Sequence, residues 1–223
     1  MNKSWGGCVE TRAMPYEAAE TVPTKANPNT LYVPYFAPDE PGTKGDKSSN
    51  AYNNSYLDDT NLGLIKTTLT TLGLDAALKL PEFRLLQGDV LKYVGGIPYD
   101  KGHTDAFGYE WGPNSGCEIA PLLRLTSDTS KVYSAIDAMI ARGNTDIPIG
   151  ATWGWNVLSD KGPFGDGVAY GTGDWTKIMV LMTDGNNENQ VGNEKDESYY
   201  SGIGYVWQDR MGVPPDNTSK SKR

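Results

Sequence analysis

The chain has 223 residues, enough for one large domain or one domain with a long insertion. Its 28 Asp and Glu outnumber 20 Lys and Arg, giving a net charge of −8, which argues against nucleic acid and against an anionic membrane surface as partners. With 26 Gly and 14 Pro much of the chain must be turn and loop, yet 13 Tyr and 6 Trp supply enough aromatic surface for a core and argue against disorder throughout.

In chain order, residues 5–10 fit a short strand. Met14 to Thr60 is rich in turn formers. One island interrupts it, Leu31-Tyr32-Val33-Pro34-Tyr35-Phe36, where Pro34 suits an edge strand or a packed loop. Residues 61–95 carry two apolar stripes at helical intervals. Leu74, Ala77 and Leu78 form the first; Leu85, Leu86, Val90, Leu91 and Val94 form the second. The spacing predicts one or two helices ending at Gly95-Gly96. Residues 97–116 return to loop and hold the only histidine, His103, read as a solvated side chain.

Ile119 to Leu125 is apolar and long enough for a strand. Ser127-Asp128-Thr129-Ser130 then offers N-caps for a helix whose apolar face is Val132, Ile136, Met139 and Ile140, with Gly143 placed as a C-cap. Asn144-Thr145-Asp146 is a second N-cap cluster, before a helix over Ile147 to Leu158. Trp153 and Trp155 lie on different faces of that helix, so at least one is expected in the core. A Gly/Pro-rich loop over 161–173 leads to Ile178-Met179-Val180-Leu181-Met182, a continuous apolar run of the kind covered on both faces in parallel sheets. Strand, helix, helix, strand is the order of an α/β crossover.

In an open α/β sheet, ligands bind at the carboxyl ends of strands. Asp184 follows the apolar run directly, and Thr145 opens a helix that would face the same rim. A hydroxyl and a carboxylate meeting there are hard oxygen ligands for Mg²⁺, Ca²⁺ or Mn²⁺. Taken alone, Thr145 is more commonly a cap and Asp184-Gly185 more commonly a turn. Cys8 and Cys117 match no metal spacing; they are either two buried thiols or one disulfide. With one histidine, Ser-His-Asp and Cys-His catalysis are disfavoured, and no nucleotide-binding glycine loop is present. A carboxylate-based extracellular hydrolase is the enzymatic alternative.

Three stretches carry a family resemblance: Ala141-Arg-Gly-Asn-Thr145-Asp, Gly150-Ala-Thr-Trp153-Gly-Trp155-Asn-Val-Leu-Ser, and Lys177-Ile-Met-Val-Leu-Met-Thr-Asp184-Gly-Asn-Asn. Together they resemble the second half of the von Willebrand factor A (vWA)-like domain of TadG-type proteins of tight-adherence (Flp) pilus assembly. The Trp-Gly-Trp beside the threonine loop is the specific part. Further similar stretches are Trp5-Gly-Gly-Cys8-Val-Glu-Thr-Arg, Val33-Pro-Tyr-Phe-Ala-Pro-Asp-Glu40, Asn54-Ser-Tyr-Leu57, Lys92-Tyr93 and Gly112-Pro-Asn-Ser-Gly-Cys117.

The resemblance implies an α/β fold: an incomplete vWA or Rossmann-like sheet flanked by helices. It would form one partial domain over 1–223, with a loop-rich insertion at 11–116, an α/β part at 117–212 and a flexible tail at 213–223. It implies a non-enzymatic binding or assembly module outside the cytoplasm, whose parent protein is anchored by a membrane segment not found in this chain. A metal-ion-dependent adhesion site is implied as well, of which only Thr145 and Asp184 match. Its Asp-x-Ser-x-Ser element is expected before Trp5, so Mg²⁺ (or Mn²⁺ or Ca²⁺) is expected to bind weakly or not at all, and the chain to be of marginal stability alone. Partners are expected to be pilus components or a surface ligand, and a Cys8–Cys117 bridge is expected from the oxidising location. A purely structural domain without a working metal site is the alternative.

Overall fold

The computed structural model describes residues 4–42, 54–94, 110–142, 145–183, 185–187, 200–205, 208 and 210–212. His103, Gly143, the Gly95-Gly96 pair and the tail from 213 lie outside them. The chain divides into two units, one built from Met1–Cys8, Tyr35–Glu118 and Gly192–Tyr200, the other from Val9–Pro34, Ile119–Val191 and Ser201–Arg223.

In the first unit, the helical region expected over 61–95 breaks into short pieces. Helix α1 spans Leu62–Thr71 and α2 spans Glu82–Gln87, with single 3-10 turns at Asp75–Lys79 and Leu91–Tyr93. Asn61 starts α1, its side chain accepting the Gly63 and Leu64 amides at 2.9 and 3.3 Å. The helix stops in a Schellman turn: Gly73 turns left-handed at φ +69°, its amide donates to Thr70 O, and that of Leu74 donates to Leu69 O. Ile65 and Leu85 are the buried faces of α1 and α2. Val90 and Val94 of the expected second stripe stay exposed, because the chain there is 3-10 and loop and does not carry a helical face.

The core of this unit is mainly aromatic: Tyr56, Leu57 and Trp111 pack together, with Tyr93 against them. Asn54, Ser55 and Asp39 are buried beside it. They are tolerated because each is bonded: Asn54 donates to Pro38 O and accepts the Gly112 amide, and Ser55 donates to Glu40 O. Cys8 and Cys117 form a disulfide closing a span of 109 residues. Asn114 ties the same place without a covalent bond, accepting the Gly6 amide and donating to Ser4 O.

In the second unit, helix α3 spans Thr129–Asp137 and α4 spans Ile147–Leu158. Both caps lie inside the clusters the sequence marked. Asp128 accepts the Ser130 and Lys131 amides, and Asp146 accepts the Ile149 amide at 3.0 Å. Segment 9–34 lies against α4 through Tyr32, whose ring stands 5.8 Å from Trp153 and whose hydroxyl bonds Asn156. Arg12 holds that segment closed: its guanidinium donates to the carbonyls of Ala19, Thr21 and Thr30 and sits 4.5 Å over the Tyr32 ring. Loop 161–173 turns back so tightly on α4 that a β-carbon at Gly167 would stand 1.9 Å from Leu158 O. Only glycine fits there.

The expected sheet is not formed. No strand occurs among the described residues, only isolated bridges such as Val9 to Pro34, so the vWA or Rossmann-like α/β fold is corrected to helices and extended loops. Ile178–Met182 and Ile119–Leu125 are non-helical, but none of their backbone groups is hydrogen-bonded among the described residues. Hydrophobic runs report what prefers to be buried, not which backbone it pairs with. A strand needs that second backbone to satisfy its donors and acceptors. Pro121 removes one donor from the first run as well. Val9 bridged to Pro34 is where the edge-strand reading of 31–36 survives, as one pair.

Candidate functional site

The expected metal ligands fall at the start of α4. Thr145 is half-buried just before the Asp146 cap. A β-carbon at Gly185 would stand 3.4 Å from Thr145 Oγ1, and Asn187 Oδ1 accepts the Ile147 amide at 2.9 Å. The segments at 145–147 and 185–187 are therefore neighbours. Asp184 lies outside the described residues. Burial raises the Asp146 carboxyl above its usual range, partly offset by the Ile149 amide it accepts.

A divalent cation can be tested against what the described residues offer. Thr145 contributes one neutral hydroxyl, Asp146 spends one oxygen on the cap, and Asn187 Oδ1 is held by the Ile147 amide. No group of three or more His, Cys, Asp or Glu able to hold a metal occurs among the described residues. The amide end of α4 also carries partial positive charge, which opposes a cation there. These donors alone do not fit a metal.

The Trp-Gly-Trp stretch serves packing. Trp153 stands between Tyr32 and Phe164, and Trp155 Nε1 donates to Tyr170 OH at 3.0 Å. Both indoles are half-buried, so neither is the core residue expected. Gly154 lets the chain at 179 approach: a β-carbon would stand 3.0 Å from Met179 Sδ.

The second unit also exposes an unusual amount of apolar surface. Val180 is 86% and Met182 92% exposed, and Ile178, Leu181, Ile119, Leu125, Ile136, Met139 and Ile140 are exposed too. Helix α3 buries no residue at all. Fully burying an aliphatic side chain is worth about 1.5–3 kcal/mol. The five side chains from Ile178 to Met182 are between 48% and 92% exposed, so covering what remains open offers roughly 5–10 kcal/mol, before the costs of ordering and association.

In the first unit the structure assembles a charged cluster that sequence reasoning missed. Lys92 Nζ lies 2.8 Å from Asp39 Oδ2, and both side chains are fully buried. Asp39 Oδ1 accepts the amides of Tyr56 and Leu57 at 2.6 and 2.5 Å. Lys92 Nζ also donates to Asp39 O at 3.1 Å and reaches Asp59 Oδ1 at 3.5 Å, while Asp59 Oδ2 accepts the Gly42 amide. The Tyr93 hydroxyl accepts the Asp39 amide at 2.6 Å.

Burial pushes the Asp39 carboxyl up to about 6, although Lys92 and the two amides pull it down. Burial raises Asp59 as well. Burial alone would lower Lys92, yet the charge of Asp39 in contact with it holds the ammonium above the usual lysine value. Tyr56 and Tyr93 are raised chiefly by burial. No spacing in the sequence joins residues 39, 59 and 92. The one available signal was Lys92 set among Leu91, Tyr93 and Val94; Asp39, between Pro38 and Glu40, carries none.

Among the described residues no helix is long and apolar enough to cross a membrane. Compared with known proteins, the chain matches no family model, no curated protein and no solved structure.

Proposed function

We propose that the chain is a non-enzymatic binding or assembly module of the kind found in TadG-type proteins of tight-adherence pilus assembly, working outside the cytoplasm against protein partners. The observation that carries the reading is the uncovered apolar run Ile178–Met182, whose side chains face solvent and whose backbone donors and acceptors are unbonded among the described residues. Such a segment is a ready template for pairing with another chain. Monomeric surfaces rarely leave continuous apolar runs open without an interaction to cover them. The Trp153-Gly154-Trp155 stretch beside Thr145 and the disulfide agree with the pilus-assembly resemblance and with an oxidising location.

The test is a Val180→Lys, Met182→Lys chain expressed in the cell that makes it. Both side chains are almost fully exposed, so folding and amount are expected to stay unchanged while assembly of surface pili is lost. Normal piliation by that variant at normal protein level contradicts the proposal. A purely structural role is favoured by one observation, that Asp146 and Asn187 spend their oxygens on backbone amides of α4. That role predicts that Thr145→Ala leaves piliation intact.

A further inference from the structure

We propose that Lys92 and Asp39 become joined by an intramolecular amide bond, an isopeptide crosslink formed by the protein itself. Three parts of that chemistry are already in place. The nucleophile is at hand: Nζ lies 2.8 Å from Asp39 Oδ2 with both side chains fully buried, so little freedom remains to be lost in bringing the groups together. The developing negative charge has a holder: Asp39 Oδ1 faces the amides of Tyr56 and Leu57 at 2.6 and 2.5 Å, the two-donor arrangement that stabilises a tetrahedral oxyanion. A proton carrier stands beside the amine: Asp59 Oδ1 is 3.5 Å from Nζ, and the Gly42 amide anchors its other oxygen.

The step balances without any added reactant. One proton passes from the Lys92 ammonium to Asp39 Oδ2, leaving a neutral amine and a carboxylic acid. Burial lowers the cost of that transfer by raising Asp39 to about 6. The Asp39 charge nevertheless holds Lys92 above its usual value, so the neutral pair is a minor state through which the reaction passes. The Nζ lone pair attacks Asp39 Cγ and Oδ1 takes the charge. A second Nζ proton travels through the Asp59 carboxylate to Oδ2. The Cγ–Oδ2 bond breaks, one water leaves, and the amide nitrogen keeps one hydrogen. The pair is fully buried beside Tyr56, Leu57 and Tyr93, which keeps solvent water from reversing the reaction.

The bond would close the 39–92 span inside the larger span closed by the disulfide, so two covalent loops would be nested in one unit. This inference does not rest on the proposed function.

The test is the intact mass of the full chain after complete reduction and denaturation. The expected result is a mass one water below that of the sequence, with fragmentation of a digest locating the loss in a branched peptide joining positions 39 and 92. Lys92→Arg is expected to restore the full mass. Asp59→Asn is expected to leave the disulfide formed and the chain folded, with at least a tenfold smaller linked fraction. A full sequence mass for the parent chain overturns the proposal, and so does a water loss located elsewhere, for example at Asp184-Gly185 or Asp166-Gly167. Equal linkage in Asp59→Asn overturns the role given to Asp59.

Discussion

Removing the Cys8–Cys117 bridge by replacing both residues with alanine should loosen the first unit by a calculable amount. The bridge spans 109 residues, and a loop of that size restricts the unfolded chain by about 4–5 kcal/mol in the chain-entropy account. The half-buried sulfurs add little packing, and the Asn114 bonds to Ser4 and Gly6 remain in the folded state. A second covalent closure at Asp39 and Lys92 would roughly halve the effective loop, which lowers the figure by only about 0.6 kcal/mol. The prediction therefore stands with or without that crosslink. Hydrogen exchange at the Tyr56 and Leu57 amides is the assay, because both are buried and held by Asp39 and so report opening of the unit itself. Their protection should fall by roughly a thousandfold, since about 1.4 kcal/mol is a factor of ten. A fall of less than tenfold would refute the reasoning and place the constraint elsewhere.

Asp146→Ala should destabilise the second unit by about 1 kcal/mol through loss of the α4 cap, whereas Asp146→Asn keeps an acceptor and should not. Because burial raises the Asp146 carboxyl, the folded state holds that proton more tightly than the unfolded chain. Its contribution is full below the ordinary aspartate range and is lost as pH rises through the raised value; thermal melts of parent and Asp146→Asn chains should diverge against the parent across that window. Gly167→Ala forces a contact with Leu158 O that cannot exist at 1.9 Å, so the loop must move; overpacking of this kind costs about 1–3 kcal/mol or more, read as a lower melting temperature of the second unit. Arg12→Met leaves the carbonyls of Ala19, Thr21 and Thr30 without their shared donor and should expose segment 13–30 to proteolysis, at a cost of about 1–3 kcal/mol.

The helices were legible because their signals are local. Asp128 and Asp146 sit in cap clusters followed by residues at helical spacing, and α3 and α4 begin at those clusters. Helix α3 ends at Asp137, short of Met139 and Ile140; Val132, Ile136, Met139 and Ile140 are all exposed, so no burial rewards another turn. The sheet was misread for a non-local reason. Ile178–Met182 has the composition of a buried strand, but strand formation depends on a partner backbone that composition does not name. The disulfide pairing followed from the resemblance, since a separation of 109 residues carries no pairing information.

The Asp39, Asp59 and Lys92 cluster was invisible for the same reason: its members are far apart in sequence and meet only in the folded unit, where the Tyr56 and Leu57 amides hold Asp39. Thr145 was legible as lying just before α4, and its hydroxyl stands near Gly185. The sheet rim on which it was expected to meet Asp184 is not formed among the described residues, and Asp184 lies outside them. Its oxygen neighbours could not be read from sequence, because Asp146 and Asn187 are drawn to the amides of α4, a choice set by geometry.

The most direct test of the proposed binding role is hydrogen exchange across Ile178–Met182, measured in the isolated chain and again in the proposed pilus-assembly complex recovered from the same cells. Free chain should exchange there at unprotected rates, and the assembled protein should show strong protection confined to that stretch and its surroundings. Protection already present in the isolated chain, or equal exchange in both states, contradicts the account.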